Sequence, residues 1–449
     1  MIGMLGLIAS LLLLMYLTMK GINIIIAAII SAVVVALTGG LNLEAALTEH
    51  YMTGFTKYFY SWFLIFLLGA IFGKIMQVTK AADSIANWVK DTLGPSRAVF
   101  AVVAAAAIMT YGGVSLFVVG FAVYPIAVSL FKVANLPHRF IPAALVFGSI
   151  SFTMTAPGSP EIQNLIPTEF FGTKPTAGGI IGVLMALLIM VTGGILLSRM
   201  VKKAVQNGEV FSLPNHPSSA KESAAALDSE LAMQRPDAAP AGKDYPHVIL
   251  AILPLAAVIA ILNTAANFTS STAAALISLS SGIVLACVLM IKYLAGFWEA
   301  LAKGAQDALV AAANTCAVVG FGSVAAQVAA FDTFVDALVN IPGPPLMGLA
   351  IAVTLICGIT GSASGGLGIA LPILAPMYMA QGLDPGAMHR ISALASGGLD
   401  SLPHNGYVVT TIRAICGETH KRAYWPIFIL SVAMPTVVLI LAVILYSIF

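Results

Sequence analysis

Apolar residues in this chain gather into runs long enough to cross a bilayer, set apart by short polar connections. A crossing helix needs roughly 20 mostly apolar residues, and the pattern predicts spans near residues 2–19, 22–39 and 58–79. Two longer runs follow, each interrupted. Residues 97–134 are broken by Tyr111-Gly112-Gly113-Val114-Ser115, and residues 139–171 by Thr153-Met154-Thr155-Ala156-Pro157-Gly158-Ser159-Pro160, before a last span at 177–199. The same succession returns near 247–266, 271–291, 305–330, 346–380, 390–416 and 424–448. There the interruptions are Gly361-Ser362-Ala363-Ser364-Gly365-Gly366 and Ser401-Leu402-Pro403-His404-Asn405-Gly406. At about 1.5 Å per residue, one helix over all of 97–134 would far exceed a single crossing. Two arms that meet at Gly112-Gly113, entering and leaving on one side, fit the length.

The stretch from Val201 to Asp244 reads as water-exposed, with eleven charged residues among Pro, Ser and Ala. Such a composition builds no core and reads as a hydrophilic linker. It divides the chain into 1–200 and 245–449. The halves match at an offset of about 250 residues: Gly54 falls on Gly304, Gln77 on Gln327, Pro125 on Pro376, and His138-Arg139 on His389-Arg390. Several matches in order argue for duplication. With one re-entrant hairpin per half, each copy crosses an odd number of times and the second is inverted. The expected fold is therefore an all-α polytopic membrane protein of two inverted-topology repeats, each with a re-entrant hairpin and a broken helix.

Composition agrees with lipid as the solvent: 59% of the residues are hydrophobic and 9% charged. A soluble domain keeps about a quarter of its residues charged. The net charge of +2 gives no reason to expect a nucleic-acid partner. The apolar start Met1-Ile2-Gly3-Met4-Leu5 reads as a retained first span and not a signal peptide. Cys287, Cys316, Cys357 and Cys416 sit singly, without metal or redox spacing, and read as packing residues. With both termini outside and the linker inside, eighteen of the 21 Lys and Arg fall on the inner side, as the positive-inside rule requires.

Main chain at membrane depth must be hydrogen-bonded unless it lines a polar cavity within protein. Four breaks, two per half, therefore mark a candidate site. Paired broken helices in inverted repeats locate substrate and ion sites in secondary transporters. Free N–H groups at one half-helix suit a carboxylate, and free C=O groups at the other suit a cation. Each break also has a plainer reading. Gly112-Gly113 and the Gly361–Gly366 run could serve close helix packing, and Pro157-Gly158-Ser159-Pro160 could be a loop past the membrane edge. Asp400 and His404 lie in an otherwise apolar span, where charge is expensive. Asp400 is a candidate proton carrier or cation ligand. His404 either titrates or donates a hydrogen bond, and Glu161 is a weaker coupling candidate nearer the outer surface. His138-Arg139 and His389-Arg390 read as anchors at the membrane edge. No Lys or Arg is expected at the breaks, which favours a monovalent, hydroxylated carboxylate over a di- or tricarboxylate.

The stretch from Ser396 to Gly406, the preceding Gly361–Gly366 run and the following Cys416-Gly417-Glu418-Thr419-His420 resemble the gluconate-permease family, in particular its 3-hydroxybutyrate-permease branch. The resemblance covers the chain in length and order of spans, but its specific part is the C-terminal third. It implies a bacterial cytoplasmic-membrane symporter for small hydroxy acids, working with protons. It also implies a mobile transport domain moving elevator-fashion against a scaffold, and a homodimer. The sequence departs from gluconate carriers around Asp400–Gly406, which favours a shorter acid such as 3-hydroxybutyrate. A gluconate- or glycerate-type proton symporter and a sodium-coupled carboxylate symporter are the alternatives. A passive channel and an intramembrane enzyme are rival classes, the latter without a nucleophile–base pair or metal spacing to support it. No cofactor is expected beyond the coupling ion. The expected substrate shell is Gly112, Gly113, Ser115, Thr155, Ser159, Ser362, Ser364, Gly365, His404 and Asn405, with Asp400, His404 and Glu161 for coupling.

Overall fold

The computed structural model describes residues 2–20, 22–214, 245–331, 333, 343–403 and 405–448. Among these residues every regular element is helical. Seven helices are long and apolar enough to cross a membrane: Leu43–Val78, Leu116–Val133, Gly179–Gln206, Val248–Ala265, Ser271–Leu289, Phe297–Ala325 and His420–Ile448. Two of these starts are fixed by side-chain caps. Asn42 accepts from Ala45 N, and Ser270 accepts from Ala273 N, each supplying a partner to an otherwise orphaned N–H.

Two long helices, Leu43–Val78 and Phe297–Ala325, run antiparallel down the centre of the molecule. Their approach depends on missing side chains. A Cβ on Gly54 would stand 2.0 Å from Ser323 Oγ, and one on Gly304 would stand 3.0 Å from Ile71 Cα. Small residues at such crossings let main chains come close and gain dispersion contacts in lipid. Lys74 Nζ lies 3.8 Å from an Asp307 carboxylate across the same interface. The first of these helices begins fifteen residues before the expected span at 58–79, because Glu44, Thr48, Glu49 and His50 look polar yet are carried on a helical start. A π-helical stretch over Ala46–Tyr51 lies within that start.

The run at 97–134 is a helical hairpin. Ala98–Tyr111 and Leu116–Val133 pack against each other and are joined by three residues and Ser115. Pro345–Thr360 and Ala363–Met379 form a second hairpin. The arm Ala98–Tyr111 has 14 residues, about 21 Å at 1.5 Å per residue, short of a hydrocarbon core of roughly 30 Å. One helix was not expected from the apolar pattern. Ala81–Leu93 carries Asp83, Asn87, Lys90 and Asp91, yet it buries Ala82, Ile85, Ala86 and Val89 against the first hairpin and Val248–Ala265. Of the expected linker, residues 215–244 lie outside the described residues, while Gly179–Gln206 extends helically into its start. Glu209, just beyond that helix, accepts from Arg139 Nε and Nη2 at 2.6 and 2.7 Å.

Candidate functional site

In the first half the helical path Ile141–Val146 and Phe147–Ser151 stops, and Ile162–Phe171 resumes it. The second half stops at Ser396 and resumes at Gly406–Val409 and Thr410–Ile415. π-Helical turns therefore flank both breaks, before the first and after the second, as they often do at functional sites. The first hairpin tip meets the far end of the first break. Gly113 takes φ +91°, and a Cβ there would stand 3.2 Å from Pro160 Cγ. The Tyr111 hydroxyl donates to Pro157 O at 2.8 Å. Ser115 caps the second arm without a side-chain bond to it, and lies against Gly73 of the central helix. Ser159 is buried and its hydroxyl accepts from Glu161 N at 3.2 Å. Glu161 stands at the start of Ile162–Phe171, half-buried.

The second tip meets the far end of the second break in the same manner. Gly361 ends its helix at φ +61°, and Ser362 Oγ accepts from Gly365 N at 3.1 Å. Asn405 Oδ1 accepts from Val408 N, while its Nδ2 donates to Gly361 O at 3.2 Å, tying break to tip. Ser364 is buried and its carbonyl accepts from the Tyr58 hydroxyl of the central helix. Asp400 is buried on the turn Leu399–Ser401, where its Oδ1 accepts from Ser401 Oγ at 2.9 Å. The Tyr424 hydroxyl holds the Ser401 carbonyl. His404 lies outside the described residues.

The two breaks also meet each other. A Cβ on Gly397 would stand 3.2 Å from Thr155 Cγ2. Tyr407 donates to Ser149 Oγ at 3.2 Å, and Ser151 and Ser431 share a hydrogen bond of 2.8 Å. The first hairpin also reaches the second break directly, Phe117 lying edge-on to Tyr407 with ring centroids 5.6 Å apart. Tip residues of opposite halves are not brought together. Tyr58 and Gly73, which touch opposite tips, lie about 22 Å apart along their shared helix at 1.5 Å per residue.

Two sequence expectations are corrected here. The His-Arg pairs are not free edge residues: His138, His389 and Arg390 are buried within the protein, and Arg139, partly exposed, is held by Glu209. His138 Nδ1 bonds Glu418 at 2.9 Å and its Nε2 bonds the Tyr124 hydroxyl, while His389 bonds Thr173 Oγ1 and Asn164 Oδ1. A cation also stands at a break, contrary to expectation. Arg390 Nη1 donates to Thr155 O, and its other nitrogens donate to the carbonyls of Pro175 and Ala177. Main-chain partners leave no trace in side-chain pattern, so Arg390 reads from sequence as an interfacial charge. The available signal is its position six residues before a break.

The family model described as GntP family permease matches residues 2–400. The chain belongs to the GntP permease family. The permease is 35% identical to the uncharacterized transporter YxjC of Bacillus subtilis (strain 168), over 93% of each chain. Its fold is similar to that of the Alcanivorax borkumensis YdaH transporter, with a TM-score of 0.51, 17% identity and coverage of 90% of this chain and 88% of that one. Neisseria gonorrhoeae MtrF, described as one of a class of antimetabolite efflux pumps, matches with a TM-score of 0.50 at 14% identity, covering 91% and 84%. At such identities these two carry the fold alone. The permease is accordingly a multi-pass membrane protein built on a transporter fold.

Proposed function

We propose that this permease is a secondary active symporter for a small hydroxy-monocarboxylate of the 3-hydroxybutyrate kind, driven by protons. The observation that carries the reading is the meeting of the two breaks at Thr155 and Gly397, with Asp400 buried three residues further on. Interrupted helices present N–H groups at one end and carbonyls at the other, so a junction of two breaks offers partial charges of both signs. Backbone of this kind is tolerated in a membrane protein where it serves a polar passenger. Thr155 is the proposed centre of the shell, with Gly112, Gly113, Ser115 and Ser159 on its first-tip side and Ser362, Ser364, Gly365 and Asn405 on its second-tip side, so that one small acid does not touch both tips at once. Asp400, His404 and Glu161 are the proposed coupling residues. No bond of the substrate is broken in this scheme.

The matching order of tip and break in the two halves supports inverted repeats over 1–200 and 245–449. The hairpins and broken helices would then travel together, elevator-fashion, against the unbroken ones in a homodimer. The reading places the protein in a bacterial cytoplasmic membrane, with both termini outside and the 201–244 linker inside. Sodium coupling is the second reading, favoured by the Ser401 hydroxyl on Asp400 and the carbonyls nearby, which are hard oxygen ligands. Uptake of labelled 3-hydroxybutyrate into proteoliposomes, with gluconate as comparator and proton and sodium gradients imposed separately, tests all of this. Accumulation under a proton gradient alone, weak for gluconate, is the expected result. Accumulation only with sodium moves the coupling assignment, and no uptake of either acid sinks the substrate assignment.

A further inference from the structure

The same basic dipeptide occurs once in each half, and its surroundings differ. In the first half both members meet acids: His138 bonds Glu418 at 2.9 Å, and Arg139 grips both Glu209 oxygens. In the second half neither does. His389 meets a threonine hydroxyl and an asparagine carbonyl oxygen. Arg390, 0% exposed and first among the largest fully buried side chains, makes no ion pair among the described residues. Its bonds go to the carbonyls of Thr155, Pro175 and Ala177. Carbonyls solvate a guanidinium, but they do not neutralise it, and an arginine stays protonated in protein. Fully buried arginines are rare unless paired with an acid, because an uncompensated charge in a medium of low dielectric is costly.

Two further features lie at the same point. Thr155, whose carbonyl Arg390 holds, has a buried hydroxyl without a hydrogen-bond partner among the described residues. Opposite it stands Gly397, where the second break begins without a side chain. Positive charge and an unsatisfied hydroxyl thus coincide where the breaks pack together, a Cβ on Gly397 standing 3.2 Å from Thr155 Cγ2.

We infer that Arg390 supplies the fixed positive charge for the carboxylate of the transported monoanion, with the Thr155 hydroxyl as a direct contact, at the junction of the two breaks. This rests on the carboxylate-symporter reading above and narrows it. One uncompensated cation matches one negative charge, so a second carboxylate on the substrate would be selected against. Arg139, in the matching position, already has its acid and makes no such subsite.

The test is equilibrium binding of labelled 3-hydroxybutyrate, glycerate, lactate and gluconate to the purified full-length protein in nanodiscs. Unlabelled 3-hydroxybutyramide serves as neutral competitor and succinate as dianion. In Arg390→Gln, anion affinity falls tenfold or more, about 1.4 kcal/mol, while competition by the neutral amide changes less than twofold. The preference for monoanion over succinate also shrinks. Arg390→Lys keeps the charge but loses the planar fork, so it retains the preference for anion over amide at reduced affinity. Should Arg390→Gln fail to fold, a folded Arg390→Lys that has lost that preference overturns the inference. Equal weakening of anion and amide, or anion binding within twofold of the native protein, reduces Arg390 to a structural clamp and overturns it as well. If the native protein binds no acid of the panel, the carboxylate reading falls and takes this inference with it.

Discussion

Gly113 turns the first tip at φ +91° with Pro160 3.2 Å from the place of a Cβ. A side chain there is strained by its backbone and crowded by the break, so Gly113→Ala is expected to destabilise by about 1–3 kcal/mol, read as a lowered thermal midpoint in detergent. Asp400 tests coupling. Asp400→Asn removes the titrating group but keeps its shape, so proton-driven accumulation should fall at least tenfold while substrate exchange without a gradient persists. Unchanged accumulation with unchanged pH dependence would remove Asp400 from that role. On the linker side, the Arg139 hydrogen bonds hold the Glu209 carboxylate below its ordinary range. A depressed folded-state pKa means that the stabilisation is present above the unfolded value, near 4.3, and is lost as pH falls through the folded one. Thermal midpoints of the native protein and Glu209→Gln should therefore differ by a constant amount at neutral pH and converge in acid. The difference is at most about 1 kcal/mol, since the pair is partly exposed and screened. At this scale much of the candidate site is legible in the sequence. Small residues and Asp400 announce themselves inside apolar runs, whereas Arg390 does not, because its partners are main-chain carbonyls from two segments some 213 to 235 residues away.

Among the elements, the hairpin over 97–134 is legible because a largely apolar run of 38 residues cannot form one helix within a bilayer of fixed thickness. Helix Ala81–Leu93 is not, since its half-apolar face and charged remainder look like a connection until the surface it covers is known. The hairpins also offer a test of movement. A Cβ on Gly73 would stand 3.3 Å from Ser115 Cβ, near the separation of about 3.8 Å found across disulfides. Gly73→Cys with Ser115→Cys should cross-link the first tip to the central helix on oxidation. If the hairpins travel against that helix, uptake stops when the bond forms and returns on reduction. Full uptake in the cross-linked protein would mean that the first tip stays where it is during transport.

Across the whole molecule, the two halves interlock far more than they are joined in sequence. The central helices come one from each half, Arg390 reaches back to the first break, and His138 meets Glu418 across 280 positions of chain. On the linker side, Glu209 is gripped by Arg139, and Phe211 N donates to Asn135 Oδ1, so the end of the first half is fastened to its own body. The covalent connection between the halves is therefore expected to be dispensable once they have met. Two separately translated polypeptides, divided between Ala225 and Ala226, should find each other in the membrane and co-purify as a heterodimer with the melting temperature of the single chain. The protein would then behave as an obligate pair of subunits that share one reading frame.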